Sequence, residues 1–276
     1  MAAAGDIGFL YIATGPRHLG EMLASVRSVR RHMPGVRIAV YTDQSGLPAE
    51  LFDEIRAIEN PRHSFIDKIA PLCDTPFERT VFLDTDTVVC APVGDLFELL
   101  DRFDLAVAHA PYRHDRPFVT PNCFTELNTG VMAYRRTDAV KTLFQDWLKT
   151  YEKEVAETGR MDSDQPAFRE ALYRSPVPFY VLPTEYNLRT VMPAAVGRCK
   201  VRIIHGRGPD MAALERWVNE SKSIRVFLPV ALQLSSRHFS ILSGPGRIVG
   251  GLIHACIAPF IASEKILRLL KRRFLK

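Results

Sequence analysis

Cysteine is scarce in this chain: there are five in 276 residues, at Cys73, Cys90, Cys123, Cys199 and Cys256. The number is odd and no two have metal-ligand spacing. That excludes a disulfide scaffold and a zinc module, and it predicts reduced thiols in a cytosolic compartment. Long apolar runs are missing too. The longest, residues 248–261, has fourteen residues and contains His254 and Pro259. A spanning helix needs ~20 apolar residues, so none is expected. No basic region precedes the first apolar run, so no secretory signal is predicted. Internal repeats and low-complexity linkers are absent. So is an excess of one charge over most of the chain. The formal net charge is +5, but residues 264–276 hold six basic groups and one acid, leaving thirty of each sign in residues 1–263. A nucleic-acid enzyme spreads positive charge over its binding face; a neutral body argues against nucleic acid as a partner.

What remains is the composition of an ordinary globular protein, 47% hydrophobic and 24% charged, with enough apolar residues for a sizeable core. Nineteen prolines argue against a helical bundle. The length fits one α/β domain with an appendage, placed here at residues 1–222 and 223–276. Strands are predicted at 7–13, 36–41, 55–58, 80–83, 104–108, 127–134 and 201–204. Helices are predicted at 17–32, 64–73, 137–156, 163–173 and 210–219. Their alternation implies a mostly parallel sheet covered on both faces. In such sheets ligands sit at the carboxyl ends of the strands.

The strongest chemical signal lies at one such end. Arg79-Thr-Val-Phe-Leu-Asp84-Thr-Asp86 places two carboxylates after an apolar strand. If the strand continues, Asp84 and Asp86 point the same way, with Thr85 opposite. Two close like charges repel and resist desolvation. Mg²⁺ or Mn²⁺ resolves both problems and commonly bridges carboxylates to a diphosphate. His205, after a late strand, is a candidate third ligand, and a neutral imidazole suits Mn²⁺ better than Mg²⁺. Gly206 and Gly208 would let the backbone approach phosphate. The bland alternatives are a solvated loop at Asp84–Asp86, a strand-end histidine at His205, a bulge at Thr129-Gly130 and a helix start at Asp164-Gln165-Pro166. Trp147 and Trp217 read as core residues.

Two known patterns fit the acidic pair: the Asp-x-Asp of nucleotide-sugar glycosyltransferases of the GT-A fold, and the Asp-x-Asp-x-Thr of haloacid-dehalogenase-like phosphatases. In the phosphatases the motif closes the first core strand, whereas here at least two strand–helix units precede it. Over roughly residues 7–210 the chain resembles the retaining GT-A family that includes glycogenin-like enzymes and lipopolysaccharide galactosyltransferases. The resemblance is carried, in order, by Lys68 in Asp-Lys-Ile-Ala-Pro-Leu, Thr75-Pro76-Phe77, the acidic pair, Asn128-Thr-Gly-Val131, Asp164-Gln165-Pro166 and Ile203-Ile-His205-Gly-Arg-Gly208.

The resemblance implies a GT-A (Rossmann-like) fold and transfer of a sugar from a nucleotide diphosphate, with retention. It implies Mn²⁺ (or Mg²⁺) on Asp84, Asp86 and His205. Ala13, Thr14, Lys68, Asn128, Gly130 and Gly208 would contact the donor, Lys68 at the diphosphate and Asn128 at the sugar. Asp164 would hold donor hydroxyls, and Gln165 would face the reacting carbon. The family often has Asp or Asn after its first strand; here Ala13-Thr14 is followed by Gly15, so the match to uridine is incomplete. The alternatives are a phosphatase with Asp84 as nucleophile and Asp86 as acid/base, and a non-catalytic membrane-bound adaptor on the same fold.

On a helical wheel, Ile266, Leu267, Leu270 and Phe274 fall on one arc of residues 264–276, with Lys265, Arg268, Arg272 and Lys276 opposite. This is the pattern of an interfacial amphipathic helix. It predicts a C-terminal helical appendage on an anionic membrane surface, a cytoplasmic and peripherally attached enzyme, and a glycan or lipid-linked acceptor.

Overall fold

In the computed structural model, residues 7–110, 114, 119–159, 162–190, 195–197, 200–208, 211–220, 225–229 and 239–241 are described. The first strand, β1 (Ile7–Ala13), is an interior strand of the main sheet. Phe9, Tyr11 and Ala13 pack into one core cluster, and Leu10 and Ile12 into the cluster on the opposite face. A strand buried on both faces reads as an unbroken apolar run, and this one does. After it come α1 (Leu19–His32), β2 (Arg37–Thr42), β3 (Glu54–Ala57), α2 (Phe65–Leu72), β4 (Arg79–Leu83), β5 (Thr87–Val89), α3 (Asp95–Leu99), β6 (Leu105–His109) and β7 (Leu127–Arg135). The remainder is α4 (Asp138–Thr158), α5 (Gln165–Arg174), β8 (Phe179–Leu182), β9 (Leu188–Arg189), β10 (Ala195–Gly197), β11 (Ile203–His205), α6 (Met211–Val218), β12 (Arg225–Pro229) and β13 (Phe239–Ile241).

The main sheet has seven strands in the order β3-β2-β1-β4-β7-β6-β8. Its pairings are parallel except where β7 meets β4 and β6. α1 covers one face with Met22, Val26 and Val29, all fully buried. Its last turn carries Arg30, Arg31 and His32, which complement the helix dipole. α4 covers the other face with Val140, Leu143, Phe144, Trp147 and Tyr151. Thr137 caps it by accepting from the Val140 N–H, and Gly159 ends it in the left-handed conformation. Trp147 is a core residue, as expected, and Trp217's side chain lies outside the described residues.

Two expectations need correction. The helix expected from residue 17 opens as a 3-10 turn, Pro16–His18, because Pro16 fixes the first φ, and becomes α-helical at Leu19. The strand ending at His205 does not join the sheet that carries Asp84. β11 belongs to a separate three-stranded sheet, β5-β11-β9, pairing antiparallel with β5 and parallel with β9. A third sheet, β10-β12-β13, joins residues on both sides of position 222. Residues 248–261 and 264–276 lie outside the described residues. Among the described residues, no helix is long and apolar enough to cross a membrane.

Candidate active site

The carboxyl ends of β1 and β4 open into a cleft of about 680 Å³, within the range of small-molecule sites. Because β7 runs against its neighbours, its amino end faces the same edge and brings Asn128 and Thr129 to the cleft. Opposite β6, β7 is bulged: Val107 pairs with Met132 but Ala108 pairs with Asn128. On the β4 side, one step beyond the Leu83–Val131 pair, the Gly130 carbonyl accepts from the Asp84 N–H at 2.8 Å.

Asp84 and Asp86 converge by a turn rather than by strand alternation. Residues 84–86 leave β4 as a turn, closed by the Thr87 N–H on the Asp84 carbonyl at 3.3 Å. The Thr87 hydroxyl donates to the same carbonyl at 2.8 Å and meets Ser25 Oγ, which meets the Tyr11 hydroxyl, each at 2.8 Å. This buried hydroxyl chain ties the acidic turn to α1 and β1. β11 then supplies His205, paired with Thr87 across the small sheet. Nε2 of His205 lies 3.6 Å from Asp84 Oδ2 and 3.3 Å from Asp86 Oδ1. One ligand atom from each of the three residues lies within 4.8 Å of the others. Gly130 makes this convergence possible, since a Cβ there would stand 1.9 Å from the His205 ring and 2.6 Å from Asp84 Oδ2. Two carboxylates and an imidazole at such spacing fit Mn²⁺ or Mg²⁺, with Mn²⁺ better matched to the nitrogen.

On the other side of Asp84 sits Lys68, from α2. Its ammonium is 3.1 Å from Asp84 and 3.2 Å from Asp164, and donates to Thr129 Oγ1 at 3.0 Å. Asp164 precedes α5, yet its side chain makes no cap bond. Its carboxylate accepts instead from the Thr129 hydroxyl at 2.9 Å, and its carbonyl accepts from the buried Trp147 Nε1 at 3.0 Å. Asn128 Nδ2 donates to Gln165 Oε1 at 3.2 Å.

These contacts push the carboxyls apart. Burial raises Asp84 above the usual carboxylate range, despite Lys68 and His205, and the nearby Asp86 and Asp164 add to the rise. Burial would raise Asp86 as well, but its bond to His205 and the charges of His205, Arg207 and Arg189 hold it well below that range. Burial would lower the Lys68 ammonium, but Asp164 and Asp84 outweigh it and raise the pKa.

Of the residues expected from sequence, Ala13, Thr14, Lys68, Asp84, Asp86, Asn128, Asp164, Gln165 and His205 line the cleft. Gly130 packs behind it against His205 and Asp84, and Gly208 is not part of the lining. Gly206 is required by a neighbour: with φ at +123°, a Cβ would meet Thr190 Oγ1 at 2.1 Å. Sequence reading missed four contributors. Asn187 bonds both His205 and Asn128. Arg189 places Nη1 3.0 Å from both His205 ring nitrogens. Arg207 makes two bonds to Glu21 and reaches Asp86 Oδ2 at 3.5 Å. His114 meets the fully buried Glu126 at 2.5 Å. Arg207 was visible as the residue between the two glycines; Asn187 precedes and Arg189 ends a strand of two residues, too short to show alternation.

No family model matches the chain, and no curated protein matches it in sequence. Among solved structures it is similar to the glycosyltransferase GlyE of Streptococcus pneumoniae TIGR4, at 17% identity and a TM-score of 0.51 over 66% of this chain and 47% of that one. It thus spans about half the length of GlyE. It is also similar to galactosyltransferase LgtC in complex with donor and acceptor sugar analogues, at 14% identity and a TM-score of 0.50, covering 73% of this chain and 87% of that one. The likeness is one of fold: a mixed α/β, GT-A-like architecture with a large, mostly parallel sheet.

Proposed function

We propose that the chain is a metal-dependent glycosyltransferase that moves a sugar from a nucleotide diphosphate, with UDP as the favoured nucleotide, to a glycan or lipid-linked acceptor. The observation that carries this reading is the convergence of Asp84, Asp86 and His205 on one point, with Lys68, Asn128, Asp164 and Gln165 on the same cleft. Two glycosyltransferase folds, one solved with donor and acceptor sugar analogues, support it. The phosphatase and adaptor readings are not favoured. The strand before Asp84 is the fourth in the chain, not the first, and the acidic pair converges with His205 at a spacing that could hold a cation.

In this reading Asp84, Asp86 and His205 hold Mn²⁺ or Mg²⁺. The bound cation supplies Lewis-acid neutralisation of the donor's diphosphate. Lys68 adds a buried positive charge for the leaving group. Ala13 and Thr14 line the nucleoside end, and Gly206 and Gly208 leave room for their own backbone to approach phosphate. Asn128 and Asp164 hold the donor sugar, and Gln165 faces its reacting carbon. Gln165 is a poor base but can favour positive charge through its carbonyl oxygen. That suits retention by front-face attack: the acceptor oxygen bonds the anomeric carbon as the bond to the diphosphate breaks. The electron pair leaves with the diphosphate, whose oxygen takes the acceptor's proton. No covalent carboxylate is then needed, unlike in retaining glycosidases. The division into residues 1–222 and 223–276, with the latter on anionic membrane, belongs to the same proposal.

The test is a screen of UDP- and GDP-sugars with Mn²⁺, with calorimetry on Asp86→Asn. Metal-dependent donor turnover is expected, Asp86→Asn abolishes metal-dependent donor binding, and proton NMR of the first product shows the donor's anomeric configuration. Unchanged donor affinity in the variant removes the metal assignment. Net inversion removes the role given to Gln165. Turnover of a generic phosphoester but of no sugar nucleotide selects the phosphatase.

A further inference from the structure

One run of hydrogen bonds joins the candidate cation ligand to the candidate reaction centre, and its polarity is set by the backbone. The Gly130 N–H donates to Asn128 Oδ1 at 3.2 Å. A backbone donor cannot be flipped, so this contact identifies the oxygen end of the Asn128 amide. The same oxygen accepts from Asn187 Nδ2 at 2.8 Å. The nitrogen of Asn187 is thereby assigned, and its oxygen is the atom 2.9 Å from His205 Nδ1. Arg189 Nη1 stands 3.0 Å from both ring nitrogens and so distinguishes neither, whereas the Asn187 oxygen, which only accepts, meets Nδ1 alone and selects a proton there. The neutral imidazole then has its lone pair on Nε2. That nitrogen faces Asp84 and Asp86 at 3.6 and 3.3 Å. A bare lone pair facing two carboxylates calls for a cation among them: a proton, the Arg189 guanidinium or a metal ion.

The run also extends the other way. With its oxygen held by Gly130 and Asn187, Asn128 directs Nδ2 to Gln165 Oε1 at 3.2 Å. This turns the Gln165 carbonyl toward Asn128 and leaves it one further lone pair. Asn187, Asn128 and His205 are 2%, 3% and 2% exposed, so bulk water has little access to exchange for these bonds, and buried networks of this kind are cooperative.

We propose that Asn187 is a positioning residue that holds His205 in the Nδ1–H tautomer, with Nε2 bare for a divalent cation, and through Asn128 fixes the orientation of the Gln165 amide. This rests on the metal-dependent reading above. It assigns Asn187 a purpose beyond filling the core: one side chain sets both the ligand atom and the reaction-centre amide. Groups that orient a metal-bound histidine change metal affinity by ~10–100-fold when removed.

Two variants of the full chain separate the functions. Asn187→Leu has similar volume but neither donor nor acceptor. Asn187→Asp keeps an acceptor for Nδ1–H and loses the donor to Asn128. Nitrogen NMR of metal-free, histidine-labelled protein reads the His205 protonation pattern, and calorimetry with Mn²⁺ alone reads affinity. In wild type Nδ1 carries the proton. Asn187→Leu shifts the proton toward Nε2 and weakens Mn²⁺ by ~10–100-fold. Asn187→Asp keeps the Nδ1 proton and most of the Mn²⁺ affinity, yet lowers kcat for donor turnover by up to ~100-fold, because Gln165 is no longer held in register. An Nε2–H tautomer in wild type, or an unchanged tautomer and affinity in Asn187→Leu, overturns the proposal. If Asn187→Leu fails to fold, loss of the Nδ1 proton in Asn187→Asp overturns it equally. Failure of wild type to bind Mn²⁺ defeats the metal reading instead, and the metal-free tautomer comparison still decides the role of Asn187.

Discussion

Lys68 is the residue on which the charge balance of the cleft floor turns. It stands between Asp84 and Asp164, at 3.1 and 3.2 Å, and is largely shielded from water. Replacing it with Met leaves the buried Asp164 and the partly exposed Asp84 without their cation, a change that costs at most ~3–5 kcal/mol. The loss should depend on pH. Asp84 is already raised by burial and rises further without Lys68. A carboxyl whose folded pKa lies above its unfolded value is best tolerated in acid, where it is protonated, and its burden grows as pH rises through the folded value. Urea unfolding of Lys68→Met against wild type should therefore show a larger deficit at neutral pH than in mild acid. An equal deficit at both would mean that Lys68 acts through packing alone. Residue by residue, sequence pattern revealed the charged members well, because an acid after an apolar strand has few bland uses. It did not reveal Gly130's part. The glycine was expected to contact the donor, and the space beside its Cα is filled by His205 and Asp84. Such a close approach depends on a strand some seventy residues away, which no local pattern records.

At the scale of elements, the site depends on short pieces. β5 and β11 have three residues each and β9 has two, yet their pairing brings His205 to the acidic turn. Strands that short show no period-two pattern, which is why β5 and β9 went unread and β11 was assigned to the wrong sheet. The long elements were legible because their apolar pattern, a continuous run in β1 and β7 and helical spacing in α1 and α4, extends over several pleats or turns. The exit from β11 is the critical joint. Gly206 donates its N–H to the Asp86 carbonyl at 2.8 Å, at a φ of +123° that L side chains rarely adopt. Gly206→Ala adds both a collision with Thr190 Oγ1 at 2.1 Å and backbone strain of ~1–3 kcal/mol. Stability and Mn²⁺ affinity should both fall. The double variant with Thr190→Ala should recover the steric part and leave the strain. Full recovery in the double variant would show that the left-handed backbone at 206 carries no cost of its own.

At the scale of the whole molecule, charge is divided unevenly along the chain. Residues 1–263 balance thirty basic against thirty acidic groups, and the entire net charge of +5 falls in residues 264–276. Near an anionic bilayer each basic residue contributes ~1 kcal/mol of attraction. An apolar arc of Ile266, Leu267, Leu270 and Phe274 would add burial to it. Among the described residues the cleft is lined by side chains from Ile12 to Arg207, and removal of residues 264–276 should leave metal binding and turnover of a short soluble acceptor intact. Binding to anionic vesicles should drop sharply. The charge contribution should also weaken with salt, since the Debye length shortens to about 8 Å at physiological ionic strength. Binding that survives high salt would report apolar insertion, to which residues 248–261 are suited. Co-sedimentation of full-length and 1–263 protein with anionic and neutral vesicles, at low and high salt, separates these contributions. Equal sedimentation of the two forms with anionic vesicles at low salt would place the basic segment against its own domain, and a lipid-linked acceptor would then lose its support.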